Sequence, residues 1–255
     1  MAMFIVWGRK IVRRTLGYVA DFCPICRAPT SFELQRVGSA GHIYYISAGE
    51  GALVGFERRC TTCKTAFHAE PSTYASVASA VLPLPELVAQ TFPGLYEAQK
   101  ARLELEAQVR HSPFSLSPED RRVLIRNPFL LLSPTVEKRY SATHLDLEIG
   151  LAILGAFILV MAGASAVIAM ALEYEGAALL VLVALGFAMV GWQFNQSGPR
   201  FMRRQVIPVL ATTLMPLKPT TAELQTVIDE LKRLRHKIGS KLRLTDLTAE
   251  IEKSS

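Results

Sequence analysis

Between residues 149 and 194 there is no lysine or arginine, although the chain of 255 residues carries 28 of them against 22 acids. A soluble core helix keeps a polar face, so a run of this length with no Lys or Arg and only Glu173 and Glu175 as acids argues against an ordinary globular core. Also missing are a nucleophile elbow, a phosphate-binding glycine loop, a zincin helix and a cluster of carboxylates, which speaks against an enzyme. Gly49-Glu50-Gly51 is too short for a nucleotide loop and predicts a hairpin turn. No repeat or low-complexity tract occurs. No secretory signal is expected: the apolar start is short and runs into Arg9, Lys10, Arg13 and Arg14 without a small-residue cleavage site.

What fills the stretch without lysine or arginine is almost entirely apolar. Residues 149–172 are 24 in number, and eleven of them are Leu, Ile, Val or Phe. At about −0.3 to −0.6 kcal/mol for each, insertion gains roughly −3 to −7 kcal/mol. A helix of that length covers the ~30 Å hydrocarbon core. Residues 176–194 form a second run of 19, with Trp192 placed for a headgroup interface. Only Glu173, Tyr174 and Glu175 join the two runs, so the helices must be antiparallel neighbours. Small residues recur as Ala152/Ala156, Gly155/Gly163, Ala162/Ala166 and Ala184/Ala188, a pattern that permits close backbone approach. Neither run has an ionisable group at depth, so the hairpin reads as an anchor and not as a transport path. Arg121, Arg122, Arg126, Lys138 and Arg139 precede it, Arg200, Arg203 and Arg204 follow, and the turn has no Lys or Arg. The expected location is therefore the inner (cytoplasmic) membrane, multi-pass, with both termini cytoplasmic.

Only four cysteines occur, as Cys23-Pro24-Ile25-Cys26 and Cys60-Thr61-Thr62-Cys63, with 33 residues between the pairs. In a reducing compartment thiolates persist, and two such turns can complete a tetrahedral shell with no open position. A structural Zn²⁺ bound by Cys23, Cys26, Cys60 and Cys63 is the leading reading. Rubredoxin-like iron and redox-active or disulfide-forming pairs share the spacing. Arg27, Arg58, Arg59 and Lys64 flank the cysteines and would offset a tetrathiolate charge near −2. His42 and His68 are not needed as ligands. Phe22, Phe32, Ile43, Tyr44, Tyr45, Ile46, Phe56 and Phe67 supply apolar, β-forming residues for a three- or four-stranded ribbon.

Residues 3–67, with Phe4-Ile5-Val6-Trp7-Gly8-Arg9, a basic segment, Cys-Pro-x-Cys and a later CxxC followed by Phe67, resemble the bacterial zinc-ribbon family of small membrane-associated proteins. The resemblance covers about a quarter of the chain and implies metal binding without a defined activity. Such families commonly carry glycine after the second cysteine of each pair, where Arg27 and Lys64 stand here.

The chain thus reads as a mostly α membrane protein with a small N-terminal β zinc ribbon. Its parts are the ribbon (1–70), a cytoplasmic helical linker region (71–146), a transmembrane hairpin (147–195, helices at 149–172 and 176–194) and a cytoplasmic C-terminal region (196–255). In the linker, residues 95–110 alternate in charge like a solvated helix, and Ser117-Pro118-Glu119-Asp120 starts a short helix near the bilayer. Residues 203–217, broken by Pro208 and Pro216, are too short to span again and suit the interface. An amphipathic helix is expected over 221–238, with Leu224, Val227, Ile228, Leu231, Leu234 and Ile238 on one stripe. That stripe suits packing on the chain's own helices, pairing with a second copy, or docking on anionic lipid.

The functional expectation is a non-catalytic, membrane-anchored interaction or scaffold module at the cytoplasmic face. Its partners would be the lipid bilayer, an unknown protein, and a further copy of itself through the hairpin or helix 221–238. A membrane-tethered ribbon that binds nucleic acid through Arg9, Lys10, Arg13, Arg14 and Arg36 is the alternative.

Overall fold

The computed structural model describes residues 7–43, 46–47, 49–141, 146–169 and 175–254. Phe4, Ile5 and Val6, Tyr44 and Tyr45, the last residues of the first apolar run, and Glu173 and Tyr174 of the hairpin turn lie outside them. Of the described residues 62% are helical, and the chain divides into two compact units, Met1–Pro118 with Pro216–Lys218, and Glu119–Met215 with Pro219–Ser255.

In the first unit, strands β1 (Trp7–Cys23), β2 (Ala28–Ile43), β3 (Ile46–Ser47), β4 (Ala52–Cys60) and β5 (Ala66–His68) form one antiparallel sheet. Its order is β1-β2-β4-β5, with β3 paired to β2. Gly49 and Gly51 both take positive φ in the turn that leads into β4. The sheet is buried at its cysteine end, where Val19, Ala20, Phe22, Phe32 and Leu34 are inside, and open at the end that carries Arg9 to Arg14.

Strand β1 lies at the edge, and such an edge must be covered or paired. Two devices cover it. A bulge at Leu16–Gly17 shifts the register, and Gly17, at φ 149°, lets Ala78 approach so closely that a Cβ would lie 2.3 Å from the Ala78 carbonyl oxygen. Tyr18 and Ala78 then exchange backbone hydrogen bonds of 2.8 and 2.9 Å. One turn further, the Ala20 N–H donates to the Thr91 hydroxyl at 2.9 Å. Helices α1 (Leu84–Thr91) and α2 (Leu95–Ala98) pack Leu87, Val88 and Leu95 against Ala20 and Ala78. A third helix, α3 (Lys100–His111), completes the unit. It buries Glu106 and Val109, so the helix read from its alternating charges as solvated has an inner face.

In the second unit, α4 (Pro118–Ser141) is a 24-residue helix that runs through Pro128 and Pro134. This corrects the expectation of a short one: each proline removes a single helix hydrogen bond. Burial of Ile125, Phe129, Leu132 and Val136, spaced three and four apart, compensates for that loss.

Helices α5 (Leu147–Ala169) and α6 (Glu175–Phe201) are the two apolar runs, and both are long and apolar enough to cross a membrane. They pack antiparallel through small residues. A Cβ on Gly155 would meet Met189 at 3.3 Å, on Gly186 the Ala156 methyl at 3.4 Å, and on Gly163 the Leu182 side chain at 2.6 Å. Their outer faces are bare: Leu151, Leu154, Phe157, Leu180, Phe187 and Trp192 are each more than half exposed. Soluble chains rarely leave an apolar surface of this kind uncovered.

The helix does not stop at residue 194. It continues through α6, a π-helical turn (Met202–Val206) and α7 (Ile207–Leu214). The segment expected to lie in the interface is therefore a buried helix, with Leu210, Ala211 and Leu214 inside. Pro208 falls just after the π-helical turn, where the helix hydrogen-bond pattern changes register.

The expected amphipathic helix is shorter than its stripe. Helix α8 (Thr221–Arg233) ends because Arg235 turns left-handed at φ 63°. The His236 N–H then bonds back to the Leu231 carbonyl at 2.9 Å. Helix α9 (Lys237–Lys241) doubles back so tightly that a Cβ on Gly239 would lie 2.5 Å from the Lys232 nitrogen. Leu224, Val227, Ile228 and Leu231 are all buried inside the unit, which leaves that stripe covered by the chain itself. The last helix, α10 (Leu244–Ser254), packs on α7 and α8.

Carboxylates tie α8 to α4. Glu223 closes a capping box with Thr220 and accepts from Arg121 Nε at 2.5 Å and Nη2 at 3.1 Å. The Arg121 hydrogen bond, followed by the Thr220 contacts, holds the Glu223 carboxyl below its usual range against the opposing effect of burial. A depressed carboxyl stabilises the fold above its unfolded pKa and loses that contribution as pH falls through the folded value. Replacing Glu223 with Ala should cost about 1–2 kcal/mol at neutral pH. Urea titrations should show that difference shrinking below about pH 4, where the unfolded carboxyl protonates.

Candidate metal centre

Each cysteine pair occupies the turn that follows a strand. Cys23 ends β1 and Cys26 lies in the turn to β2, while Cys60 ends β4 and Cys63 lies in the turn to β5. Strand β2 pairs with both β1 and β4 and so carries the two turns to the same end of the sheet. The turns are built alike. In each, the residue after the second cysteine is left-handed, Arg27 at φ 56° and Lys64 at φ 60°. Each returns its N–H to the first cysteine's carbonyl, at 2.8 Å for Arg27 to Cys23 and 3.1 Å for Lys64 to Cys60. Glycine would adopt this conformation without cost, so both residues are held in it by their surroundings. In each pair the first cysteine is buried and the second half-buried.

The four sulfurs lie within 4.8 Å of one another. Cys23 and Cys63 are 3.7 Å apart, as are Cys26 and Cys60. Four ~2.3 Å bonds to one tetrahedral ion require sulfur–sulfur edges of about 3.8 Å. A disulfide would require about 2.05 Å. The spacing is therefore compatible with a single metal ion and not with paired disulfides. The Cys26 N–H also points at the Cys23 sulfur at 3.4 Å, a contact that stabilises thiolate.

Crowding makes the four groups unequal. Hydrogen bonds from Cys23 and then Cys26 draw the Cys63 thiol down to about 7. Bonds from Cys23, Cys26 and Cys63 lower Cys60 further. The Cys26 and Cys60 contacts raise Cys23, and Cys26 itself is raised by Cys60, Cys63 and burial, although its bond to Cys23 opposes this. Sulfurs this close cannot all be anionic unless a cation sits among them.

Arg27, Arg58, Arg59 and Lys64 were expected to offset the thiolate charge. Two of them are engaged elsewhere. The Arg27 Nε donates to Glu106 at 2.6 Å, and both side chains are almost fully buried. Arg58 pairs with the buried Asp21 and stands over the Phe32 ring at 5.2 Å. Asp21 also accepts from the Tyr74 hydroxyl at 2.8 Å, and burial raises that phenol's pKa. Arg59 donates to the Lys64 carbonyl at 3.1 Å and so braces the second turn. His42 and His68 do not belong to the cysteine cluster.

Sequence reasoning missed Glu106, Asp21 and Tyr74. The available signal was the face of α3, where Arg102, Glu106 and Val109 recur every three to four residues: Arg102 covers the Phe22 ring at 4.4 Å. Removing a buried counter-charge leaves its partner desolvated, so Glu106→Ala should destabilise the first unit by about 3 kcal/mol. Chemical denaturation of the metal-loaded protein would measure this.

No protein family, curated protein or solved structure matches this chain.

Proposed function

We propose that the chain is a non-catalytic membrane protein whose cysteine knuckles hold a structural Zn²⁺ and whose ribbon serves as an interaction surface on the cytoplasmic side of the inner membrane. The single observation that carries this reading is the closed donor set: four sulfurs at tetrahedral spacing leave no position for a substrate or an activated water. Thiolates are soft ligands that suit zinc, whose role here would be to fix the two turns and the sheet between them.

The bare apolar faces of α5 and α6 support placement in a bilayer. Basic residues on both flanks support cytoplasmic termini. Against a nucleic-acid role stands the pairing of three of the five basic residues it would use: Arg13 with Glu57, and both Arg14 and Arg36 with Glu50. Groups already matched to carboxylates release few counterions from a phosphate backbone.

Affinity capture of the full-length protein from membranes in mild detergent tests the reading. The expected result is a defined protein partner that is retained by the native chain and lost by the Cys60→Ser variant. Binding of DNA or RNA that weakens steeply with added salt would overturn it.

A further inference from the structure

At the foot of the hairpin, where α6 leaves the exposed apolar surface, a cavity of about 530 Å³ opens in the second unit. Arg139, Tyr140, Arg203, Lys241, Arg243 and Asp246 are among its lining residues. Four cations thus face one carboxylate, and not all of the four are engaged. Arg203 is bound to Asp246 at 3.2 Å. Arg139 is directed to Ser197 at 2.5 Å and Asp146 at 3.4 Å. Among the described residues Lys241 has only the Tyr140 ring, 5.5 Å away, and Arg243 has no carboxylate partner. Both are exposed.

The adjoining cleft differs. There Arg139 and Arg200 converge on Asp146, which also accepts from the Ser197 hydroxyl at 2.9 Å and caps α5 through the Ile149 N–H at 3.1 Å, and Arg204 is matched to Glu148. Burial pushes the Asp146 carboxyl up, but the Ser197 bond, the Ile149 N–H and then Arg200 and Arg139 outweigh it and hold it ionised. That cleft sets Lys138, Arg139, Arg200 and Arg204 against Asp146 and Glu148, whereas the larger cavity sets its four cations against a single carboxylate and so carries the greater positive surplus.

The position of the cavity restricts its occupant. Phe194 forms part of its wall and is itself 37% exposed, and Phe187, two turns earlier on the same face of α6, is 75% exposed. A ligand with an anionic head and a long apolar tail would match both. Gly198 makes room: a Cβ there would meet the Tyr140 hydroxyl at 2.8 Å and displace that wall. We infer that this cavity binds the headgroup of an anionic glycerophospholipid of the cytoplasmic leaflet, with Lys241 and Arg243 on its phosphate and its acyl chains along α6. The inference rests on the membrane placement proposed above and extends it to a specific lipid class. Guanidinium recognises a phosphodiester with two parallel hydrogen bonds, and basic pockets beside membrane helices use the same chemistry.

Full-length protein in neutral detergent, titrated with dioleoyl phosphatidylglycerol or dioleoyl phosphatidylcholine, tests it by thermal melting. Phosphatidylglycerol should raise the Tm by several degrees more than phosphatidylcholine. The Lys241→Gln/Arg243→Gln variant should need about tenfold more phosphatidylglycerol for the same shift, and Lys241→Arg should behave as the native chain. Equal shifts with the two lipids, or an unchanged preference in the double variant, would overturn the inference. So would a matching shift from inorganic phosphate or glycerol 3-phosphate at the same concentrations, which would mark a site for soluble anions. Resistance of both proteins to alkaline extraction from membranes is read separately: its loss would defeat the membrane placement itself.

Discussion

Replacing Cys60 with serine should abolish metal binding and unfold the first unit while, under the membrane placement proposed above, the hairpin remains inserted. Cys60 is fully buried at the end of β4 and lies 3.7 Å from the Cys26 sulfur. A hydroxyl is a poor zinc ligand, and the three remaining thiolates would leave an open, charged site. Structural zinc contributes about 10–16 kcal/mol to the folding of comparable small sites, more than a domain of this size holds in reserve. The loss should also loosen the left-handed turns at Arg27 and Lys64, which would then rest on the Arg27–Glu106 pair and the Arg59 bond to the Lys64 carbonyl. Amide exchange should rise throughout β1, β2 and β4 while α5 and α6 remain protected. Retention of sheet protection in the serine variant would show that the ribbon folds without its ion.

Phe157→Arg combined with Phe187→Arg should prevent membrane integration. Both positions lie near the middle of their apolar runs, and the side chains are 63% and 75% exposed. In water, two exposed phenylalanines replaced by arginine would change stability within about 0.5 kcal/mol each. At mid-bilayer each arginine costs about 2.5–3.5 kcal/mol, so roughly 5–7 kcal/mol in total if the two positions act independently. The environments therefore predict opposite outcomes for one variant. Alkaline extraction of membranes should release the double variant and leave the native chain in the pellet; equal retention of both would place those faces outside the hydrocarbon.

Sequence alone made the cysteine cluster and the apolar hairpin legible because each depends on local signals. Two residues between thiolates determine one knuckle, and the missing charges over residues 149–172 determine one long helix. The antiparallel contact was also readable in part, since Gly155, Gly163 and Ala156 stand among the small residues that do meet the facing helix. What stayed hidden depends on partners distant in sequence. Glu106 meets Arg27 across 79 residues, and nothing in the alternating charges of α3 marks it as the one carboxylate that is buried. The end of α8 was overrun because the stripe continues to Leu234 and Ile238, and only the left-handed Arg235 and the tight return at Gly239 interrupt it. Pro128 and Pro134 lie inside α4, where burial of Ile125, Phe129, Leu132 and Val136 overrides their local cost. Arg27 and Lys64 adopt the left-handed conformation that glycine takes most easily, so closure of the two turns outweighs local preference there.

X-ray absorption at the zinc edge, recorded on full-length protein purified in detergent, tests the tetrathiolate centre most directly. One zinc per chain surrounded by four sulfurs at about 2.3 Å is the expected result. A metal-free protein with sulfur–sulfur bonds near 2.05 Å, or a zinc shell containing oxygen or nitrogen, would contradict it.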